Sequence, residues 1–287
     1  MATVASGAAS DRLFARATRD RDSLLAFLSR DRLYAAYAIA DMDDREFART
    51  RWGMALRDGS IVAVCMEYNG ISPQPLFVMG EPTGVRMILG SVIRTRTAYL
   101  AALPEHIPAV SELYRVEAGP RMVRMWVDRA TFHPVIGEAV RLDAGDTRHL
   151  NRLYELGLTA WLPSESIGSG VYYGVRRAGR LVAAAGTHVI SPMYGLAAVG
   201  NVFTHRDMRG RGLAKAVTSA VTAELLETVD TVVLNVRSDN VPALAAYRAL
   251  GYQPHMSFEE RLVRRDGSLW DSIVAPLRRY LPDRRRT

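Results

Sequence analysis

The sequence contains one cysteine, Cys65, and one lysine, Lys215, among 287 residues. A single cysteine excludes a disulfide within the chain, and its apolar neighbours predict an inert buried thiol. No apolar run approaches the roughly 20 residues that a membrane-spanning helix needs. Residues 1–10 lack the cationic start and apolar centre of a secretory signal, and we expect them to be disordered. These absences predict a cytoplasmic protein with no membrane association.

The near absence of lysine means that arginine supplies almost all of the positive charge, and the net charge is +7. Genomic codon bias is the simplest cause, although a basic chain also favours an anionic ligand. The arginines are scattered and show none of the patterns of nucleic-acid-binding domains, so a nucleic-acid partner is not expected. No group of histidine, cysteine and acidic residues has the spacing of metal ligands, so no metal is predicted.

The chain is long enough for two domains, and strand and helix signals alternate along it, which predicts an α/β fold. A break in the pattern at His133–Gly137 predicts a boundary. The predicted divisions are a disordered N-terminus over 1–10, an N-terminal α/β domain over 11–134 and a second domain over 135–287. Apolar residues at helical spacing predict helices through 11–56, and an amphipathic pattern predicts a closing helix over Leu269–Leu281.

The most informative stretch covers residues 201–252. A predicted strand ends at Thr204 and leads into the basic, glycine-containing turn Arg209–Gly212, after which a helix begins at once. Such a turn leaves free backbone N–H groups at a helix N-terminus, where the positive partial charge favours an anion. A second strand, Thr231–Val236, and a helix that carries Tyr247 follow. This order indicates a phosphate-carrying cofactor held between two strands.

Two motifs in this stretch have a defined spacing. The first, Arg/Gln-x-x-Gly-x-Gly/Ala, is met by Arg209, Gly212 and Ala214. The second, Asn-x-x-Ala-x-x-x-Tyr-x-x-x-Gly-aromatic, is met by Asn240, Ala243, Tyr247, Gly251 and Tyr252. With both motifs in order, residues 138–265 resemble the GNAT superfamily of acyl-CoA N-acyltransferases. Within that superfamily they are most similar to the branch typified by glycine N-acyltransferases.

The resemblance implies a GNAT fold in the second half, with acetyl-CoA as co-substrate. The CoA pyrophosphate would lie against the turn, the pantetheine arm would pair with the strand before it, and Asn240 would hydrogen-bond the arm. Tyr247 would protonate the leaving thiolate as general acid, since a phenol with a free pKa of about 10 is a reasonable donor to that anion. The residues implied in CoA binding are Val202, Phe203, Thr204, Arg209, Gly210, Arg211, Gly212, Leu213, Ala214, Asn240 and Ala243.

The first half could be a degenerate second copy of the same fold, in a tandem arrangement, or an unrelated α/β domain. Its turn at Gly80–Gly84 stands where a pyrophosphate loop would be, but it contains Glu81 and lacks the arginine. We therefore expect no CoA there, and we predict that this half forms one wall of the substrate cleft.

The general base is the catalytic group that the sequence does not identify. Some relatives carry a glutamate on the strand before the turn, at about Ala198 of this chain, and that strand has no acid here. The remaining candidates are a water held by backbone carbonyls or by Asn201 or His188, and Glu165.

The sequence thus predicts an acyl-CoA-dependent N-acyltransferase that moves an acetyl group to a primary amine of a small molecule or amino acid by direct attack on the thioester. The alternatives are a protein N-acetyltransferase and, because the strand carboxylate is missing, a non-catalytic acyl-CoA sensor. The expected partner is the small-molecule amine, and a homodimer is left open.

Overall fold

The computed structural model of the chain describes residues 13–157 and 162–266. The disorder expected over 1–10 and the helix expected over Leu269–Leu281 lie outside these residues. Within them the fold is a mixed α/β arrangement, as the alternating pattern predicts. No helix in this part of the chain is long and apolar enough to cross a membrane.

The helices and strands are short and closely spaced along the chain. The strands are β1 (Leu13–Thr18), β2 (Thr50–Arg57), β3 (Ser60–Tyr68), β4 (Gln74–Gly80), β5 (Thr97–Ala102), β6 (Tyr114–Val116), β7 (Arg121–Asp128), β8 (Val140–Arg141), β9 (Tyr173–Arg177), β10 (Arg180–Ser191), β11 (Leu196–Thr204), β12 (Thr231–Arg237) and β13 (Gln253–Arg265). The α-helices are α1 (Arg21–Leu28), α2 (Ala36–Ala40), α3 (Asp44–Phe47), α4 (Pro82–Ser91), α5 (Ile107–Ser111), α6 (Thr147–Tyr154), α7 (Ser164–Ser169), α8 (Leu213–Leu225) and α9 (Val241–Ala249).

The described strands form one continuous sheet in the order β1-β2-β3-β4-β5-β13-β7-β12-β11-β10-β9-β8, with β6 paired to β13. This order exchanges strands between the two halves of the chain. Strand β7 comes from the first half but pairs with β12 of the second half. Strand β13 comes from the second half but pairs with β5 and β6 of the first. The boundary near residue 134 stays a prediction, and the sheet crosses it without a break.

Each half of the chain repeats the same succession of elements. Each half begins with four strands, β1 to β4 in the first half and β8 to β11 in the second. A helix then connects the fourth strand to a fifth strand that pairs with it in parallel. Helix α4 joins β4 to β5, and α8 joins β11 to β12. These are the two parallel pairs among the described strands, and all the other pairs are antiparallel. The repetition agrees with the first alternative from the sequence, a second copy of one fold.

Different helices cover the two faces of the sheet, because successive residues of a strand point to opposite faces. In β11, Ala197 and Val199 share a buried cluster with Val217 of α8. Leu196 and Ala198 share another cluster with the apolar residues of α1 and α2. Helix α2 of the first half thus packs over β10 and β11 of the second half.

The helices expected through 11–56 are only partly present. Helices α1, α2 and α3 occupy the middle of this stretch, but both ends are strands. Strand β1 pairs with β2, with Leu13 opposite Arg57 at one end and Thr18 opposite Trp52 at the other. Most of β2 is buried. A short apolar run of this kind cannot be distinguished from a buried helix by periodicity alone, and pairing within the sheet decides its form. The helix prediction was wrong for β1 and β2.

The strand exchange predicts that neither half folds alone. A fragment of residues 135–287 lacks β7, so one edge of β12 is unpaired, and exposed edges promote aggregation. We expect this fragment and the fragment 1–134 to be insoluble or unfolded by circular dichroism when each is made separately. Co-expression should give a soluble complex of the two. A monomeric 135–287 fragment with a cooperative thermal transition would contradict the exchange.

Candidate active site

Strands β11 and β12 diverge in the middle of the second half. They pair in parallel over four residues, ending at Val199 and Leu234. Beyond this point β11 follows β10 through a bulge at Asn201, whose φ of 53° is left-handed. A bulge bends its strand and increases the local twist. The resulting gap leaves one edge of residues 200–204 without a strand partner.

The turn after β11 presents backbone donors. Gly210 and Gly212 both have a φ of +74°, and no heavy atom lies within 4 Å of the Cβ position of either. Gly212 is the N-cap of α8, and the N–H groups of residues 210–214 have no acceptor within the described chain. The first N–H groups of a helix carry positive partial charge, so this turn can bind an anion. Arg209 and Arg211 are exposed beside it.

The residues expected along the pantetheine arm lie at the gap. Val202, Phe203 and Thr204 are half-buried. The Thr204 hydroxyl is enclosed and has no hydrogen-bond partner in the described chain, while its carbonyl accepts from Nε of Arg209 at 3.3 Å. The Phe203 ring packs edge-on against Tyr154, with centroids 6.5 Å apart. The strand therefore offers backbone groups and an unpaired hydroxyl to a ligand.

Helix ends account for three more of the expected residues. Oδ1 of Asn240 accepts from the N–H of Ala243 at 3.3 Å, so Asn240 caps α9. Its Nδ2 donates to no described residue. The Leu213 side chain is buried in the core, so this residue can offer only its N–H to a ligand. The bond from Asn240 to pantetheine stays a prediction.

Tyr247 of α9 is the expected general acid, and it is 6% exposed. It belongs to the buried cluster that contains Val199 and Leu234, the last paired residues of the two strands. Val202, further along β11, packs against the same cluster. Its hydroxyl makes no hydrogen bond with the described residues, and its ring lies 6.0 Å from that of Tyr252. Burial raises the pKa of Tyr247 to about 12. The phenol therefore keeps its proton at neutral pH and can donate it to an anion.

A chain of polar groups lies on the opposite face of the sheet. The Tyr37 hydroxyl is 3.2 Å from Nδ1 of His188, and Nε2 of His188 is 3.3 Å from Oδ1 of Asn201 at the bulge. Surrounding protein lowers the pKa of His188, and the bond to Asn201 opposes this effect. His188 is nevertheless exposed to solvent. Because Tyr37 belongs to α2, residues from both halves of the chain meet at this surface.

The other candidates for the base are less suitable. Ala198 is fully buried and offers no acid. Glu165 is 73% exposed and engaged by Arg45, and a carboxylate held by a guanidinium is a weaker proton acceptor than a neutral imidazole. His188 and Asn201 are brought together by the structure. The described residues contain no group of three or more His, Cys, Asp or Glu side chains placed to hold a metal ion.

The corresponding part of the first half, within residues 13–134, is engaged in contacts inside the protein. Strand β4 also diverges from β5 after four pairs, but protein groups occupy the strand there. The Tyr34 hydroxyl donates to the Val78 carbonyl at 2.7 Å, and Nε2 of His106 donates to the Gly80 carbonyl at 2.7 Å. An acid, Glu81, immediately precedes α4, where an anion would have to bind. These contacts support the expectation that this half binds no CoA.

Comparison with known proteins agrees with this geometry. The family model described as FR47-like protein matches residues 172–262. A GCN5-related N-acetyltransferase from Sphaerobacter thermophilus superposes with a TM-score of 0.59 at 17% identity, over 90% of this chain and 98% of its own. A GCN5-related N-acetyltransferase from Kribbella flavida gives a TM-score of 0.51 at 20% identity, over 73% of this chain and 89% of its own. No curated protein matches the sequence.

A further neighbour bears on both halves. A tandem GNAT protein from the clavulanic acid biosynthesis pathway superposes with a TM-score of 0.52 at 17% identity, over 90% of this chain and 99% of its own. The chain therefore has the fold of GNAT N-acetyltransferases, and the predicted α/β fold class with its tandem arrangement is confirmed. The glycine N-acyltransferase branch stays a prediction.

The turn predicts a matched pair of variants. Gly210 and Gly179 have φ values of +74° and +75°, and both have open space at the Cβ position, but Gly179 lies in the hairpin between β9 and β10. Alanine at either position should cost about 1 kcal/mol of stability, because its Cβ disfavours a left-handed backbone. We expect Gly210→Ala to weaken CoA binding about tenfold, because its Cβ would stand between the N–H groups and the pyrophosphate. Calorimetry with CoA measures this, and equal affinities for both variants would place the anion elsewhere.

Proposed function

We propose that this protein is an acyl-CoA-dependent N-acyltransferase that transfers the acetyl group of acetyl-CoA to a primary amine of a small molecule or amino acid. One arrangement carries the proposal: the Tyr247 phenol and the His188 imidazole lie on opposite faces of the sheet beside the gap between β11 and β12. Tyr247 is on the α8 face, and His188 is on the α2 face. A thioester in the gap would have a proton donor near its sulfur and a proton acceptor beyond its carbonyl.

The turn and the gap suit the shape and charge of CoA. The pyrophosphate would accept hydrogen bonds from the free N–H groups of residues 210–214, as anions do at helix N-termini. The pantetheine arm would pair with the open edge of residues 202–204 and meet Asn240. Because contacts within the protein fill the equivalent place in the first half, we expect one CoA per chain.

The reaction is a direct transfer. The acceptor nitrogen attacks the thioester carbonyl, the N–C bond forms and the C–S bond breaks. A backbone N–H near Val202 polarises the carbonyl oxygen. Tyr247 gives its proton to the departing thiolate, which leaves as the free thiol of CoA. General acid catalysis of this kind contributes about 10²- to 10⁴-fold in rate.

The proton that the amine loses reaches His188 through the Tyr37 hydroxyl. With the neutral ring protonated at Nε2, Nδ1 accepts from this hydroxyl; the hydroxyl passes its proton to Nδ1 and takes the proton of the amine in its place. After protonation both ring nitrogens donate, and the oxygens of Tyr37 and Asn201 can accept from them at the observed 3.2 and 3.3 Å. These two contacts stabilise the imidazolium at the moment it forms. The lowered pKa of His188 keeps the ring free to accept at neutral pH.

Tyr247→Phe tests the function. We expect kcat to fall about 10²-fold or more, because the thiolate then departs without a proton, while the dissociation constant for CoA changes little. A thiol-release assay and calorimetry measure the two quantities.

Tyr252→Phe is the matched control. It also removes a phenol, which lies 2.7 Å from the Thr222 hydroxyl, and it should lower stability while kcat is largely retained. CoA binding without turnover in the unmodified protein, across a broad panel of amines, would favour the sensor alternative instead.

The pH profile tests the base. In the unmodified protein kcat/KM should fall as the pH drops through the lowered pKa of His188, because protonation removes the proton acceptor. In His188→Gln that limb should vanish, and the rate at pH 7 should fall about 10²-fold. The remaining activity should then rise with pH as the amine itself loses its proton. An unchanged profile in the variant would assign the base elsewhere.

A further inference from the structure

Asp41 follows α2 one turn after Tyr37. Its N–H donates to the Tyr37 carbonyl at 2.9 Å, and side chains four residues apart lie on the same face of a helix. Burial raises the pKa of Tyr37 to about 12, and the carboxylates of Glu260 and Asp41 add to this effect. The Asp41 carboxyl therefore lies near the phenol that contacts His188.

The Asp41 carboxyl has no partner among residues 13–157 and 162–266. The residue is 9% exposed, and its side chain makes no hydrogen bond or salt bridge with the described residues. Its oxygens are not among the enclosed unpaired atoms of those residues, so they keep contact with open space. Burial of a polar group without a hydrogen-bond partner costs about 1–3 kcal/mol even when the group is neutral. A buried ionisable side chain without a partner is therefore a candidate for a binding site.

Two neighbouring acids make the environment more negative. Asp43 accepts from the Ser191 hydroxyl at 3.0 Å, at the end of β10. Glu46 accepts from the Tyr68 hydroxyl at 2.5 Å. Burial raises the pKa of Asp41 to about 8, and the carboxylates of Glu46 and Asp43 contribute to the rise. Glu46 also lies 3.8 Å from Arg45 and 3.7 Å from Arg49, and these arginines offset part of its charge. The field that remains at Asp41 is negative, so it attracts cations.

The helix and the strand each fix a spacing along their own axis between the part that contacts the base and the part that meets the acids. From Tyr37 to Asp41 the helix rises about 6 Å. From His188 to Ser191, the contact of Asp43, the strand advances about 10 Å. A linear compound with two nitrogens joined by a short carbon chain spans such a distance.

From this geometry we propose that the amine acceptor carries a second cationic group, and that Asp41 binds this group while the reacting nitrogen lies at His188. The inference rests on the proposed function and adds its substrate class, which is diamines and other doubly basic amines. A monoamine leaves Asp41 without a partner. Near pH 7 the carboxyl of Asp41 holds its proton in the free protein, and an arriving ammonium favours its ionised form.

The test compares two amines of the same length, 1,4-diaminobutane and butylamine, with acetyl-CoA as donor. We expect kcat/KM for the diamine to exceed that for the monoamine about tenfold or more, as a charge-assisted hydrogen bond to a buried carboxylate would give. In Asp41→Asn that preference should disappear, mainly through a higher KM for the diamine. Asp44→Asn is the matched control, since its carboxylate is 82% exposed on the same segment and paired with Arg21. The preference should persist in this control.

Calorimetry of 1,4-diaminobutane binding to the CoA-loaded protein separates the two proposals. Tighter binding by the unmodified protein than by Asp41→Asn supports the cation site, whether or not turnover occurs. Turnover with an equal rate for both amines, or a preference that survives in Asp41→Asn, overturns the inference and leaves the acyltransferase intact. Absence of turnover with every amine, while CoA and the diamine still bind, overturns the proposed function alone. A melting temperature of Asp41→Asn at or above that of the unmodified protein shows that the variant folds.

Discussion

The parting of β11 from β12 beyond Val199 and Leu234 is the feature on which the whole site depends. Strands inside a sheet normally stay paired, because each unsatisfied backbone group costs about 1–3 kcal/mol. Here the bulge at Asn201 carries β11 towards β10, and the Tyr154 hydroxyl donates to the Asn201 carbonyl at 2.7 Å. A left-handed φ at a residue other than glycine is costly, and asparagine is among the residues that tolerate it best. The protein thus concentrates strain and unpaired groups where the arm of a ligand can satisfy them.

The two copies of the fold have diverged around this feature. In the first half Tyr34 and His106 donate hydrogen bonds to the carbonyls of the diverging strand. These carbonyls are therefore satisfied within the protein and are not offered to a ligand. Instead, the first half contributes helix α2, which packs over β11. It also contributes the exchanged strand β7, which pairs with β12. One copy therefore carries the opening, and the other contributes a helix over β11 and part of the sheet.

The sequence predicts the turn and helix α9 because their residues are close together and each serves a local backbone need. Gly210 provides a left-handed φ, and Asn240 caps a helix. The contact between Tyr37 and His188 could not be predicted in this way, since 151 positions separate these residues and no local pattern marks it. The strand exchange could not be predicted from a local sequence pattern either. The alternation of apolar and polar residues along a strand specifies which face is buried. It does not specify which copy of the fold supplies the neighbouring strand.

Arg124 connects the strand exchange to Tyr37. It lies on β7, is 3% exposed, donates to the Leu33 carbonyl at 3.2 Å and has its guanidinium 4.8 Å from the centroid of the Tyr37 ring. A buried cation is costly unless it is compensated, and the carbonyl and the aromatic face provide part of that compensation. Because β7 is exchanged, this charge lies in the sheet of the second half yet holds a helix of the first half. Arg124 therefore lies against Tyr37 while Asp41 lies one turn further along α2. A doubly basic acceptor in this field would place the ammonium group that does not react at Asp41, away from Arg124. The nitrogen that must lose a proton would then lie beside His188.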